Sequence, residues 1–301
     1  MKKPSSWVPA QLTQQVGLNW GEAGKAWLKA LPTVISQLET ELGLKELMPC
    51  ENMRLHWIGH ALRGDSEVTL KLSIPDVEFE TELRALVRMQ VLPHMVRLRE
   101  SSAEGGWMML ERIRPGSPLS ALEDDLAALE IWLTHIEFLP ANALDYQRFP
   151  DLARWCRALW LEDMPNWLAP AVLQARELYQ TLASDEQATL LLHGDLHHEN
   201  MLSDGPTGWK MIDPKGVIAG PEFELGAMLR NPYPDWNASA QLESSLRNRL
   251  ERIAADPRFR FERVMNWAYV QSVLAACWSR NDQQVGELWL QVAFALDRLG
   301  R

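Results

Sequence analysis

Two polar clusters stand close together in the second half of the chain, His193-Gly-Asp195-Leu-His-His-Glu-Asn200 and Ile212-Asp213-Pro214. Short apolar runs lead into each of them, Leu190-Leu-Leu192 and Trp209-Lys-Met-Ile212, and Gly205-Pro-Thr-Gly208 lies between. Apolar runs this short, broken by Gly and Pro, read as strands around a tight turn. Residues 189–218 are therefore expected to form a loop followed by a β-hairpin, which folds Asn200 and Asp213 back to one place. A hairpin inserted into a region that otherwise reads as helical narrows the possible folds, because it holds a polar loop on a rigid scaffold.

The residue types in these clusters suit one kind of chemistry. A carboxylate within hydrogen-bond reach of a hydroxyl, here Asp195, can accept its proton during phosphoryl transfer. Oxygen ligands from Asn200 and Asp213 suit Mg²⁺, with water and phosphate oxygens filling the remaining positions. The His, Asp, Leu and Asn of the first cluster fall at the offsets of the protein-kinase pattern H-R-D-L-x-x-x-N, with Gly194 in place of Arg. A lone Asp-x-x-x-x-Asn is more often a cap or a plain loop; the four matched positions with Asp213 after a strand carry the reading. His193, at the end of an apolar run, reads as a packed structural histidine. His197 and His198 leave a metal hydrolase open as a rival, although His-x-Asp-x-His-His matches no accepted ligand spacing.

The first third mixes strand and helix signals. Val68, Leu70, Leu72 and Ile74 alternate with polar residues, the period of a half-buried strand, and place Lys71 on its other face. Asp76 is expected to cap a helix whose Phe79, Leu83, Leu86 and Gln90 share a face, with Glu82 at its edge. Lys71 could reach nucleotide phosphates and Glu82 could hold it, with Glu78 and Glu80 as competitors for that pairing. A second strand is expected at Trp107–Leu110, then a connector, Glu111-Arg-Ile-Arg-Pro-Gly116. Ser120-Ala-Leu-Glu123 reads as a capping box opening a helix with Leu122, Leu126, Leu129, Leu133 and Ile136 in its stripe. Further helices are expected at about 150–163, 170–183, 222–230, 238–255, 260–280 and 283–299. The expected class is α+β: an N-terminal lobe over 1–112 with a small mixed β-sheet, and a larger, mainly helical lobe over 113–301.

The 301 residues suffice for two such lobes, and 47% hydrophobic with 23% charged residues is ordinary for a globular protein. A formal net charge of −10 without a dense Lys/Arg stripe argues against a nucleic-acid partner. Cys50, Cys156 and Cys277 lie far apart, which supports neither a disulfide framework nor a zinc site. The charged start Met1-Lys-Lys3 is followed by no apolar leader core, and no apolar run approaches a membrane span. A cytoplasmic enzyme without a membrane partner is the expectation. The 14 tryptophans, from Trp7 to Trp289, mark no repeat and read mostly as packing residues.

On His193-Gly-Asp-Leu-His-His-Glu-Asn-Met-Leu202, Met211-Ile-Asp-Pro-Lys-Gly216 and Leu229-Arg-Asn-Pro232, the chain resembles the aminoglycoside phosphotransferase family, more narrowly its streptomycin 6-kinase and hydroxyurea kinase branch. The resemblance covers about residues 50–300 and implies a protein-kinase-like bilobal fold with ATP and Mg²⁺ as cofactors. It implies Asp195 as the catalytic carboxylate, Asn200 and Asp213 as Mg²⁺ ligands, and Lys71 with Glu82 as the phosphate-positioning pair. It also implies that the backbone from Glu111 to Ile113 hydrogen-bonds the adenine. The implied acceptor is a hydroxyl of a cationic, streptomycin-like aminoglycoside, which phosphorylation inactivates; hydroxyurea, another small metabolite alcohol, or an idle nucleotide-binding module are the alternatives. Neither Phe-Gly after Asp213 nor an Ala-Pro-Glu element is present, which speaks against a protein substrate. Between Arg54 and Lys71 the glycines are Gly59 and Gly64, so a less glycine-rich hairpin is expected over the phosphates. Glu222 and Glu224 in Gly220-Pro-Glu-Phe-Glu224 stand where acceptor contacts are sought.

Overall fold

The computed structural model describes residues 7–51, 53–185, 190–206, 208–232 and 240–300. The chain divides into two units, Met1–Arg114 and Pro115–Arg301.

The first unit begins with a long helix, α1 (Ala10–Glu41), broken in direction at Gly21. Strands β1 (Leu44–Pro49), β2 (Trp57–Arg63) and β3 (Ser66–Leu72) follow, then α2 (Val77–Arg88), β4 (Leu98–Ser102) and β5 (Trp107–Glu111). The five strands form one antiparallel sheet in the order β1-β2-β3-β5-β4. Val68, Leu70 and Leu72 of β3 are buried in a cluster with Trp57, Met109 and the α1 residues Leu31, Ile35 and Leu38. The alternating pattern thus faces a helix for which the sequence analysis gives no separate expectation. Leu31, Ile35 and Leu38 do have helical spacing, but Pro32 lies inside the helix and glycines precede it, both of which usually argue against one. Asp76 caps α2 as expected, one carboxylate oxygen accepting from the Phe79 N–H at 2.9 Å. Its other oxygen accepts from the Trp20 indole at 2.8 Å, which ties α1 to the start of α2.

The second unit contains β6 (Pro115–Pro118), α3 (Asp125–His135), β7 (Leu139–Pro140), α4 (Asp145–Arg148), α5 (Leu152–Trp155), α6 (Ala169–Ser184) and β8 (Leu190–Leu192). After the polar loop come β9 (Met201–Asp204), β10 (Gly208–Met211), β11 (Val217–Ala219), α7 (Leu225–Leu229), α8 (Leu242–Ala254), α9 (Phe261–Trp278) and α10 (Gln283–Leu299). Helix α9 runs through the core, where Trp267, Val270, Val273 and Leu274 pack with residues of α6, α10, β8 and β11. Two three-stranded sheets, β10-β9-β6 and β11-β8-β7, hold the polar loop between β8 and β9.

Several expected boundaries move. No helix opens at Ser120: Leu119–Ala121 is a single 3-10 turn, and α3 starts after Asp124, whose carboxylate accepts from the N–H groups of Leu126 and Ala127 at 3.0 Å. Asp124 outcompetes Ser120 because it can satisfy two open N–H groups at once. The helix expected over 150–163 is α5 followed by a 3-10 segment, Cys156–Trp160, and that over 222–230 is a 3-10 turn, Pro221–Phe223, followed by α7. Thr207 of the hairpin turn and residues 238–239 of an expected helix lie outside the described residues. Among the described residues no helix is long and apolar enough to cross a membrane.

Candidate active site

In the first unit, β3 carries Lys71 and α2 carries Glu82, and the two side chains meet at 2.5 Å, with only 5% and 3% of each residue exposed. Glu82 lies on the buried face of α2 with Phe79, Ala85 and Leu86, not at its edge. A buried ion pair is costly to break from one side, because the remaining charge stays desolvated. Lys71→Met is therefore expected to lower stability by about 3 kcal/mol. Adding Glu82→Leu should recover most of that loss in thermal unfolding, and a double variant no more stable than Lys71→Met would contradict the buried pairing. At the end of the sheet the Glu111 N–H donates to the Arg97 carbonyl at 2.9 Å, and the Glu111 carboxylate accepts from the Arg97 N–H at 2.9 Å. The side chain of Ile113 is buried.

In the second unit, the loop after β8 is shaped by Gly194, at φ +84°. A Cβ there would stand 2.6 Å from a methyl of Val217, so the position at which the kinase pattern carries Arg admits only glycine here. The turn exposes two N–H groups, of Gly194 and Leu196, and both donate to the carboxylate of Glu224, Gly194 at 3.0 and 3.1 Å to its two oxygens and Leu196 at 3.3 Å. The Trp132 indole donates to the Leu196 carbonyl at 2.8 Å. Asp195 is thus held from both flanks.

The loop then closes on itself. Asn200 donates through its side-chain amide to the Asp195 carbonyl at 2.9 Å, and its own carbonyl accepts from the Ile212 N–H at 3.0 Å, next to Asp213. The hairpin pairs Met201 with Met211, which is what brings Asn200 opposite Ile212. Asp213 sits at φ +64°, a left-handed conformation that Asp tolerates better than most residues. Lys215 approaches its carboxylate at 3.3 Å. His193 Nε2 donates to the Ile212 carbonyl at 2.8 Å and Nδ1 accepts from the Asp195 N–H at 3.3 Å. Burial pushes its pKa down to about 4, so it is a neutral tie between the two clusters rather than a proton carrier.

The Asp195 carboxylate, with 21% of its side chain exposed, has Arg230 Nη2 at 2.7 Å from one oxygen and His197 Nε2 at 3.7 Å from the other. Burial acts to raise its pKa, but the positive potential of His197, Arg230 and Lys215 outweighs this and holds it below the usual carboxylate value. His198 faces away into the core, where a guanidinium nitrogen of Arg249 stands 3.3 Å from its Nε2. Burial and that cation hold its pKa well below the ordinary value. A cation already occupying the face of His198 removes the basis for a two-histidine metal hydrolase.

Glu224 behaves differently from Asp195. Burial raises its pKa to about 7, against the opposing pull of the Gly194 and Leu196 N–H groups. Since its folded pKa lies above the unfolded value near 4.5, its contribution to stability is full below about pH 4.5 and is lost as pH rises through about 7. Relative to Glu224→Gln, the wild-type protein should therefore lose on the order of 3 kcal/mol of unfolding free energy across that window. Denaturant titrations of both proteins at pH 5 and pH 7.5 check this; parallel profiles would contradict it.

Glu222 and Glu224, in the stretch where the resemblance leads one to seek acceptor contacts, are both buried and internally bonded, Glu222 to Arg260 at 3.2 Å and Glu224 to the loop. Arg230, within Leu229-Arg-Asn-Pro232, carries no sequence signal of its own for a role at Asp195. Only the third dimension shows an arginine 35 positions away reaching Asp195.

Asn200 and Asp213 fit a hard cation by their chemistry: with the Asn200 amide nitrogen engaged by Asp195, its oxygen is the atom left for a ligand, and Asp213 supplies carboxylate oxygens.

The sequence model of the family "Aminoglycoside/hydroxyurea antibiotic resistance kinase" matches residues 60–283. A streptomycin 3''-kinase of Klebsiella pneumoniae is 37% identical over 81% of this chain and 92% of its own. A streptomycin 6-kinase of Streptomyces glaucescens is 26% identical over 91% of each chain. Among solved structures, a thermostable mutant of the aminoglycoside phosphotransferase APH(4)-Ia in a ternary complex with ADP and hygromycin B superposes with a TM-score of 0.61 over 87% of this chain and 97% of its own, at 13% identity. The fold is therefore the protein-kinase-like one, with a sheet-containing lobe and a helical lobe.

Proposed function

This chain belongs to the aminoglycoside/hydroxyurea antibiotic resistance kinase family, and from that premise we propose that it transfers the γ-phosphoryl group of ATP to a hydroxyl of a streptomycin-like aminoglycoside, inactivating it. The observation that carries the reading is the loop itself: Asp195 is ionised, partly exposed and held from three sides beside Asn200 and Asp213. In the reaction the acceptor oxygen forms a bond to the γ-phosphorus while the bond from that phosphorus to the bridging oxygen of ADP breaks. The hydroxyl proton passes to the Oδ2 oxygen of Asp195, the one that Arg230 leaves open, and from there to solvent.

Lys71, fixed by Glu82, is assigned to the phosphates, and the backbone from Glu111 to Ile113 to the adenine. Asn200 and Asp213 would hold Mg²⁺, which supplies neutralisation of the charge on the β- and γ-phosphates. Phosphorylation adds negative charge and bulk to a cation whose target recognises its hydroxyl and amino groups, and this is the proposed means of inactivation. Two relatives, a streptomycin 6-kinase and a streptomycin 3''-kinase, support the streptomycin reading; the family description keeps hydroxyurea as the second acceptor. A cytoplasmic setting, where ATP is available, belongs to this reading.

The acceptor is tested by incubating the protein with γ-labelled ATP and Mg²⁺ and, separately, streptomycin, hygromycin B and hydroxyurea. Label on streptomycin at the highest kcat/KM is expected. Label on hydroxyurea alone would move the function to the second acceptor, and label on none would remove both.

A further inference from the structure

Arg230 stands in the turn that ends α7, its guanidinium buried, with 6% of the residue exposed. One terminal nitrogen donates to Asp195 Oδ1 at 2.7 Å and the other to the Gln271 side chain at 3.2 Å. Gln271 comes from the middle of α9 and is itself fixed, donating to the Phe223 carbonyl. Its amide fills the space that a Cβ at position 226 would take, so Gly226 is what allows α9 to reach the guanidinium. On both sides of Arg230 the backbone is pinned from α8: Arg249 donates to the carbonyls of Met228 at 2.9 Å and Asn231 at 2.7 Å. Helices α7, α8 and α9 thus converge to hold one cation against one oxygen of Asp195.

A buried guanidinium is expensive to desolvate, and an apolar side chain would fill such a cavity at lower cost. What the cation adds is orientation. A carboxylate turns readily about its last torsion, whereas one oxygen bonded at 2.7 Å fixes where the other points. His197 Nε2, at 3.7 Å, is too far from Oδ2 to occupy it with a hydrogen bond. The nearby positive charge also makes Asp195 a weaker base. In a loose phosphoryl-transfer transition state, where the protein contributes mainly positioning, orientation matters more than basicity.

We propose that Arg230 is a positioning residue for the phosphotransfer, clamping Oδ1 of Asp195 so that Oδ2 meets the acceptor hydroxyl. This rests on Asp195 being the carboxylate that receives the proton. The test is a double-mutant cycle with Arg230→Met and Asp195→Asn, reading kcat and both KM values. Arg230→Met is expected to lower kcat about 10²-fold, the scale of a misplaced reacting group, while KM for ATP and for the acceptor changes less than about threefold. In the Asp195→Asn background the same change should have no further effect, because the oxygen it aims is no longer a proton acceptor. Added guanidinium ion should restore part of the rate of Arg230→Met and none of the rate of the double variant.

Should Arg230→Met fail to fold, Arg230→Lys keeps a cation in the cavity; it is expected to hold the wild-type unfolding transition and to lose about tenfold in kcat through its poorer geometry. Three results overturn the proposal: wild-type kcat in Arg230→Met, wild-type kcat in a folded Arg230→Lys, or an equal loss with and without the Asp195 carboxylate. If Asp195→Asn alone keeps full activity, the assignment of Asp195 falls and Arg230 with it. An inactive Asp195→Asn beside an active Arg230→Met removes Arg230 alone.

Discussion

Replacing Asp195 by Asn is expected to lower turnover by ~10²–10⁴-fold while leaving ATP affinity within a small factor of wild type. Asn keeps the volume of the side chain and can still meet the Arg230 guanidinium through its oxygen, so the loop geometry described around Gly194, Glu224 and Trp132 should survive. What disappears is an ionised oxygen able to take a proton. The measurement is a pair of titrations on the same preparation: nucleotide binding by calorimetry and product formation with saturating acceptor. A parallel collapse of ATP affinity would mean that Asp195 serves nucleotide binding rather than proton transfer. Full activity would remove it from the mechanism.

The second large effect is expected at Asp213. Asp213→Asn preserves a residue type that tolerates φ +64° and so isolates the charge from the backbone conformation. With the carboxylate gone, the proposed Mg²⁺ site retains only neutral oxygen donors from residues 200 and 213. Dependence on Mg²⁺ should then shift to concentrations at least about tenfold higher, with turnover near background at ordinary Mg²⁺, since affinity at such sites follows ligand charge. Lys215, 3.3 Å from this carboxylate, would lose its partner there as well. Unchanged Mg²⁺ dependence in Asp213→Asn would take Asp213 out of the metal site.

The parts of the fold that residue patterns reached are those where one local signal dominates. The alternation through Leu70 and Leu72 faces a buried core, and Asp76 caps α2 by its own side chain. Asp195, Asn200 and Asp213 could be read together because a short hairpin fixes their spacing in the sequence itself. Long-range geometry escaped. Arg230 reaches Asp195 only after α9 has placed Gln271 beside Gly226, and no spacing rule encodes that. The resemblance places Glu224 only in a stretch where acceptor contacts are sought, while burial and two loop N–H groups make it the support of the loop. The capping box at Ser120 failed because a stronger cap, Asp124, lay four residues on. Helix α1 was hidden by Pro32 and its glycines, whose local penalties are overridden by packing of Leu31, Ile35 and Leu38 on the sheet.

The central claim is that one phosphoryl group leaves ATP and arrives on a small alcohol through Asp195. It is tested most directly by incubating the protein with Mg²⁺, ATP and streptomycin and quantifying ADP and the acceptor together by mass spectrometry. The account predicts streptomycin heavier by one HPO₃ unit, in amounts equal to the ADP formed, and both products formed ~10²–10⁴-fold more slowly with Asp195→Asn. ADP accumulating while streptomycin stays unmodified, or phosphorylated streptomycin at an undiminished rate with Asp195→Asn, would contradict it.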